Sequence, residues 1–461
     1  MADEFDVVVI GAGPPGENAA GRCAEGGLTT AIVEGRLVGG ECSFWGCIPS
    51  KTLIRPGDVL AAARRVPGAA EAVTGPIDVR AAFAQRDHMT SDWKDDSQLP
   101  WLEHEDIELI RGHGRLAGER QVEVALTAGG TRHLMARRAV VVAVGTDALL
   151  PKIPGLSDAR PWTNKEITET HAVPERLLVL GGGAIGTEMA QAFSRFGSRV
   201  TVIEGAPRLL AREEPFAGDQ LRAAFEAEGV TVLTGAKVTE VTRDGTGAVA
   251  VTVEDGRRIE GDELLVAVGR TPRTADIGLD TVALAEHTGK YLPVDERLRL
   301  LDDWLYAVGD CNGKALLTHM GKYQARICGD VILGKDARDV ADAGIVPRVT
   351  FTDPQVCAVG PTEEEARAAG HRVRTVTVAT GSVAGAYVQG NDIDGTSMLV
   401  VDEDRRVVLG ATFTGPGVQE LLHSATVAIA GAVTLDDLWH AVPVFPTVSE
   451  VWLRLLEAYG L

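Results

Sequence analysis

Cys42 and Cys47 stand in the stretch Gly39-Gly-Glu-Cys42-Ser-Phe-Trp-Gly-Cys47-Ile-Pro-Ser-Lys51, with four residues between them. Pro49, at the start of an apolar-periodic stretch, predicts a helix opening near Cys47. A thiolate at a helix N-terminus is stabilised by the helix dipole, and Lys51 adds positive charge. That setting favours redox chemistry. Two other readings of the pair are open: buried, inert thiols, or a zinc site, for which no second CxxC-type pair is present. Cys23, Cys311, Cys328 and Cys357 are isolated in the sequence and read as core residues.

A second kind of chemistry is written in glycine. Phe5 to Ile10 reads as a buried strand, Gly11-Ala-Gly13-Pro-Pro-Gly16 as a tight turn, and Glu17 to Gly26 as a helix. The pattern returns as strand Leu177 to Leu180, turn Gly181-Gly-Gly183-Ala-Ile-Gly186 and helix Thr187 to Phe196. In such a turn the first Gly allows the bend and the second lets the backbone approach a pyrophosphate. The third lets the helix pack on the strand, with the helix dipole facing the phosphates. An acid at the end of the next strand accepts hydrogen bonds from ribose hydroxyls; Glu34 and Glu204 each lie 18 residues after the third Gly. One such turn is weak evidence, but two with strand, helix and acid form an internal repeat of dinucleotide-binding halves. Glu204 would repel a 2′-phosphate, which favours NAD over NADP at the second turn, although Arg208 lies nearby.

These elements need a frame. The 461 residues carry a net charge of −20, with 45% hydrophobic and 24% charged residues, as expected of a globular protein of about three domains. The acidity argues against nucleic-acid binding. No apolar run approaches the ~20 residues of a membrane span, and the acidic start leading straight into a strand predicts a cytoplasmic protein rather than a secreted one. Helix is expected over Leu53 to Gly68 and Val79 to Glu103, then hairpin-like segments at Val122 to Leu126 and Arg132 to Leu134. After Pro347 strands mix with helices: Val349 to Phe351, Arg372 to Val378, Ser397 to Val401 and Val407 to Thr414, with Thr362 to Ala369, Val418 to Gly431 and Ser449 to Tyr459. The fold class is α/β: two Rossmann-like dinucleotide-binding domains followed by an α+β C-terminal domain.

In these motifs the chain resembles the class I pyridine nucleotide-disulfide oxidoreductases, the flavoprotein disulfide reductase family that includes dihydrolipoamide dehydrogenase, glutathione reductase and mercuric reductase. The resemblance covers essentially the whole chain. It takes in Val144-Gly145-Thr146, similar to the family's crossover into the nucleotide domain, Gly269-Arg270-Thr-Pro272, and Leu305-Tyr-Ala-Val-Gly309-Asp310. Phe351-Thr-Asp-Pro354 opens a segment similar to the family's dimer-interface domain. It implies a homodimer divided as 1–150 and 276–346 for FAD, 151–275 for NAD(P) and 347–461 for the interface.

The resemblance also implies roles. Tightly but non-covalently bound FAD would lie against Gly11, Gly13, Gly16, Glu34, Lys51, Gly114, Gly145, Asp310, Leu317 and Met320. NAD(H) would lie against Gly181, Gly183, Gly186, Glu204, Gly269 and Arg270. Cys47 would be the thiol beside the flavin and Cys42 the thiol that meets substrate, with Lys51 paired to Glu188. Hydride would pass from NADH through FAD to a Cys42–Cys47 disulfide, and on to a disulfide or other acceptor. No resident metal is expected.

The chain departs from the family at two places. The family signature His-Pro-Thr-x-Ser-Glu, whose His is the acid/base of thiol exchange, reads Phe445-Pro446-Thr447-Val448-Ser449-Glu450 here. Glu450 is kept, but Phe445 cannot carry a proton, and general acid–base catalysis contributes typically ~10²–10⁴-fold. His440, five residues earlier, is the candidate substitute. Phe44-Trp45 replaces a small or polar pair, either as core packing or as a surface for a flat acceptor. An NAD(P)H:quinone or diaphorase-type reductase is therefore the alternative function. A metal-ion reductase is a lesser one, since neither the C-terminal cysteine pair nor the N-terminal metal-binding domain common in mercuric reductases is read in this sequence. A flavin-binding redox sensor that has lost activity is the reading outside enzymology.

Overall fold

Val7, Val8 and Val9 have no exposed surface in the strand Asp3–Ile10. A β-branched run covered on both faces is what a parallel strand requires. In the computed structural model, which describes residues 2–341 and 344–461, this strand pairs in parallel with Thr30–Glu34 on one side and Thr131–Val142 on the other. Thr30–Glu34 pairs in turn with Ile107–Leu116. Tertiary contacts gather the chain into two units: residues 2–49, 86–148 and 270–341, and residues 50–85, 149–269 and 344–461.

The first unit is built on that sheet. Gln121–Leu126 pairs antiparallel with both Ile107–Leu116 and Thr131–Val142. The expected short hairpin strand at Arg132 is thus the opening of a twelve-residue strand, whose far end pairs in parallel with Asp3–Ile10 and Leu305–Ala307. Helices Pro14–Glu25 and Thr318–Ile332 pack together through Ala19, Ala20, Cys23, Ala325 and Cys328, all without exposed surface. Small side chains allow that close approach.

One expectation needs correction here. The helical stretch Val79 to Glu103 is broken after Val79–Met89 and resumes only at Leu99–His104. Between them Ser91, Asp92 and Trp93 take φ of 51°, 50° and 54°. No Gly or Pro lies between Thr90 and Gln98 to announce the break. Tertiary contact sustains it: the Trp93 indole N–H donates to the Phe44 carbonyl at 3.0 Å.

The second unit repeats the plan. Glu263–Val266, Arg176–Leu180, Arg199–Ile203 and Thr231–Leu233 form a four-stranded parallel sheet. Helix Ala184–Arg195 covers it with the fully buried Phe193. Leu53, Ile54, Ala82 and Phe83, from the segment after the cysteine motif, share this core. A three-stranded sheet, Val238–Arg243, Val249–Val253 and Arg258–Gly261, is attached. The C-terminal part is a five-stranded antiparallel sheet in the order Arg348–Thr350, Gln355–Val359, Val407–Gly415, Thr396–Asp402 and Val373–Ala379. Gln355–Val359 is a strand the sequence pattern did not suggest, too short between Pro354 and Gly360 to show a period. Helix Val451–Tyr459 packs on this sheet, Trp452 lying 6.1 Å from Phe413 between ring centroids. Among the described residues no helix is long and apolar enough to cross a membrane.

Candidate functional site

The two glycine turns are built alike. Gly11 and Gly181 have φ of 103° and 115°, and a Cβ on either would stand 2.5 and 2.4 Å from the carbonyl oxygens of Ala143 and Ala267. Only glycine takes that conformation and that approach without cost. The terminal acids behave alike too. Glu34 accepts from the backbone N–H of Ala12 at 2.8 Å and of Arg36 at 2.7 Å. Glu204 accepts from Gly182 at 2.5 Å and from Ala206 at 2.6 Å. Each carboxylate therefore ties its glycine turn to the end of the next strand. Neither Gly13 nor Gly183 caps its helix with a side chain, so both helix starts face outward as backbone donors.

In the first unit a single cleft gathers most of the expected residues. Gly11, Gly13, Glu34, Cys42, Gly145 and Asp310 line it, with Trp45, Thr146, Arg273 and Thr318. Asp310 is half-buried, and desolvation pushes its carboxyl up, while the Thr146 hydroxyl donates to it at 2.9 Å. Gly16 packs behind the turn, where a Cβ would fall 1.9 Å from the Gly11 oxygen. Gly114, Leu317 and Met320 are not on the cleft wall. Gly114 faces Val33 and Ile10 from its strand, Leu317 precedes the helix Thr318–Ile332, and Met320 is buried.

The cysteine motif forms two helices. Gly40–Phe44 carries Cys42, and Cys47 is the first residue of Cys47–Arg65. Both cysteines are thiols and half-buried. The Cys47 sulfur lies 3.3 Å from the Thr318 hydroxyl. Its hydrogen bond with Cys42, together with burial and its charge, holds the Cys42 thiol far above the usual range. Phe44 is core, and Trp45 is turned to the cleft. The other four cysteines are buried, as expected. Burial pushes Cys23 and Cys311 up to about 12 and raises Cys328 and Cys357 as well, so they are inert.

Arg270, expected from the resemblance among the residues for NAD(H), lines the first cleft. It pairs with Glu41 at 2.5 Å and donates to the Thr146 hydroxyl at 3.0 Å. Glu41 also lies 3.4 Å from Arg273, which pairs with Asp147 at 2.6 Å. The cause is the pairing of Arg270–Pro272 with Thr146–Ala148 across a two-stranded sheet. Sequence spacing could not reveal it, because the partners are more than 120 residues apart. Gly269 is bonded through its carbonyl to Leu149 N.

In the second unit Lys51 pairs with Glu188 at 2.6 Å, as expected, and stands 4.8 Å over the Phe351 ring. Glu188 is 3% exposed, and its other oxygen accepts from Phe351 N at 2.9 Å. Its position in the helix Ala184–Arg195 places a buried carboxylate with both oxygens occupied. Phe445 is 71% exposed, and His440 is exposed at a helix end. Glu450 is buried; one oxygen accepts from Arg454, and the other has no partner. No cluster of metal-binding side chains occurs among the described residues.

Glu17, in the first turn of the helix after Gly16, was not singled out by the sequence. Burial pushes its carboxyl up to about 7, the Glu34 charge adding and Lys322 opposing. The native state thus binds this proton more tightly than the unfolded chain. The corresponding stability is present at low pH and is lost as pH rises from the usual 4.5 through about 7. Glu17→Gln is expected to flatten the fall of Tm over that window in thermal melts, and an unchanged slope would show an ordinary carboxylate there.

Comparisons with known proteins place the family. Residues 5–325 match the pyridine nucleotide-disulphide oxidoreductase family, and residues 346–455 match its dimerisation domain. The chain is 34% identical to a dihydrolipoyl dehydrogenase of Chlorobaculum tepidum, over 98% of this chain and 96% of that one. It is 29% identical to a mercuric reductase of Lysinibacillus sphaericus, over 97% and 81%. Among solved structures, LpdA from Mycobacterium tuberculosis superposes with a TM-score of 0.88 at 27% identity, covering 100% of each chain. A Cu(II) complex of the HOCl-induced flavoprotein disulfide reductase RclA from Escherichia coli gives 0.87 at 26%, covering 99% of each.

Proposed function

The chain belongs to the pyridine nucleotide-disulphide oxidoreductase family, and from that premise we propose that Cys42 and Cys47 are the exit of an NAD(P)H-driven enzyme that reduces a disulfide or another acceptor. The observation that carries this reading is the cleft shared by Cys42 and the glycine turn of the first unit. The residues there suit FAD, the cofactor of the family. The uncapped helix start and Gly13 would take the pyrophosphate. Glu34, already fixed by two backbone amides, has lone pairs left for ribose hydroxyls. Asp310 would meet the polyol chain. Bound FAD supplies the exchange of a hydride from NAD(P)H for an electron pair given to a disulfide.

The chain's own residues do the rest. Gly181, Gly183 and Gly186 would bind the nicotinamide nucleotide. Glu204 favours NADH, because a 2′-phosphate would meet a fixed negative charge. Glu188 holds the Lys51 ammonium in one orientation. Cys42, kept protonated by its neighbour, would meet the acceptor. The family's dimerisation domain supports a homodimer, and we retain the four-part division 1–150, 151–275, 276–346 and 347–461 as part of this proposal.

A second reading has its own observation. Trp45 on the cleft wall beside Cys42 offers a stacking surface for a flat acceptor such as a quinone. Reduction of a metal ion is a third, supported by the names of a mercuric reductase and a Cu(II) complex among the relatives. Anaerobic titration of the oxidised protein with NADH separates relay from direct transfer. Isotope-coded alkylation is expected to find new thiols at both Cys42 and Cys47 as the flavin bleaches. Bleaching with no new thiols would favour direct transfer from the flavin.

A further inference from the structure

We propose that Phe351 is the positioning residue for Lys51: its ring carries the ammonium while its backbone N–H holds the carboxylate paired with it, so one residue fixes both members of the ion pair. The inference rests on the reading in which Lys51 meets the flavin, and adds what keeps that charge in one place.

Glu188 alone leaves the ammonium able to pivot. A lysine ammonium is a point charge with rotatable donors on a flexible stem, and Glu188 Oε2 accepts from it at 2.6 Å. The Lys51 side chain is 36% exposed against 3% for Glu188, so water competes from the lysine side. The Phe351 ring, with Lys51 Nζ 4.8 Å from its centroid, supplies a second point of attraction. The negative face of an aromatic ring draws a cation within about 6 Å of the centroid. A ring face offers no oxygen, so it restrains the ammonium without competing for the bond to Glu188.

The chain is built to hold that ring still. Phe351 follows the strand Arg348–Thr350, and its side chain packs against the core of the second unit. Its N–H donates to Glu188 Oε1 at 2.9 Å, and two residues on the Asp353 N–H donates to Gln191 Oε1 at 2.7 Å. Glu188 and Gln191 are three apart in the helix Ala184–Arg195 and so share a face. Gln191 also donates to the Asp353 carbonyl at 2.9 Å. The Asp353 carboxylate pairs with Arg195 at 3.0 Å and with Arg65 at 2.6 Å. Arg65 ends the helix Cys47–Arg65, which carries Lys51. The backbone around Phe351 is thereby tied both to the helix that bears Glu188 and to the helix that bears Lys51.

The test replaces Phe351 in the holoenzyme by mono-, di- and trifluorophenylalanine. Fluorine drains the negative face of the ring, while its apolar shape and the backbone bond to Glu188 stay. Acylation of Lys51 by a succinimidyl ester is read by peptide mass spectrometry against the other lysines. It is expected to rise with each fluorine, by about two- to fivefold over the series. Bleaching of the flavin by NADH is expected to slow in the same order. A ring that only filled space would move neither. Unchanged acylation across the series overturns the proposal. Acylation that rises while bleaching stays constant keeps Phe351 as the hold on Lys51 and refutes the reading that Lys51 serves the flavin. Should the fluorinated chains fail to fold, Phe351→Tyr is compared with Phe351→Leu. Phe351→Tyr is expected to match the wild type and Phe351→Leu to be acylated faster; equal rates for the two overturn the proposal.

Discussion

Cys42→Ser is expected to abolish turnover of disulfide acceptors, by a factor on the order of 10³ or more, while NADH still bleaches the flavin. On the proposed reading Cys42 is the thiol that meets the acceptor. A serine oxygen is nearly as compact, and it cannot form the disulfide that receives the electrons. Cys47 remains in place beside Thr318 but has no partner with which to close the cycle. Lipoamide and a soluble quinone, assayed anaerobically in parallel on wild type and variant, provide the check. Loss of lipoamide reduction with flavin reduction intact places the cysteine pair between flavin and substrate. Undiminished quinone reduction in the variant would identify direct transfer, with Trp45 as the platform. Retained lipoamide turnover would sink the relay altogether.

The second large effect is a gain. Phe445→His is expected to raise dithiol–disulfide exchange with lipoamide by about 10- to 100-fold, the lower part of what a positioned acid–base group contributes. Glu450 stands where the resemblance implies the acid that accompanies such a histidine. Glu450 is buried, and one of its oxygens is unpartnered. An unsatisfied buried carboxylate oxygen is costly, and an imidazole N–H that reached it would satisfy it. Phe445 itself makes no comparable use of its place: it is 71% exposed, beside Val444 at 71% and Val442 at 83%. Steady-state kcat/KM for lipoamide decides the matter, with NADH–quinone activity as the control. No gain would mean that the phenyl ring serves an apolar acceptor and that protons arrive by another route.

Much of the site was legible because its chemistry is local. A glycine turn, the helix after it and an acid 18 residues on are written within one stretch of chain, and both copies fold as their spacing requires. The Lys51–Glu188 pair was reachable only through the family resemblance, since the partners are 137 residues apart. What the sequence concealed depends on distant pairing. Arg270 follows the second dinucleotide half in the chain, yet a two-stranded sheet carries it to the first cleft. Thr318 lies 271 residues from Cys47, and a lone threonine in a sequence announces nothing. The break at Ser91–Trp93 was hidden for a related reason, being sustained by the bond from Trp93 to Phe44 rather than by any local turn residue.

The paired use of Glu34 and Glu204 has a consequence for how nucleotides are admitted. In each half the carboxylate already grips the amides of its own turn, with the next strand secured behind it. On the proposed reading the receptor for a pyrophosphate and ribose is accordingly preorganised, a shape that precedes its guest. Little loop ordering is left for binding to accomplish, so affinity at either half reflects complementarity to the nucleotide rather than the cost of assembling the receptor. Two such ready-made seats, cut to the same template, leave discrimination between flavin and nicotinamide to whatever lies beyond the turn. In the first unit that surrounding wall includes Cys42, Trp45, Arg270 and Arg273.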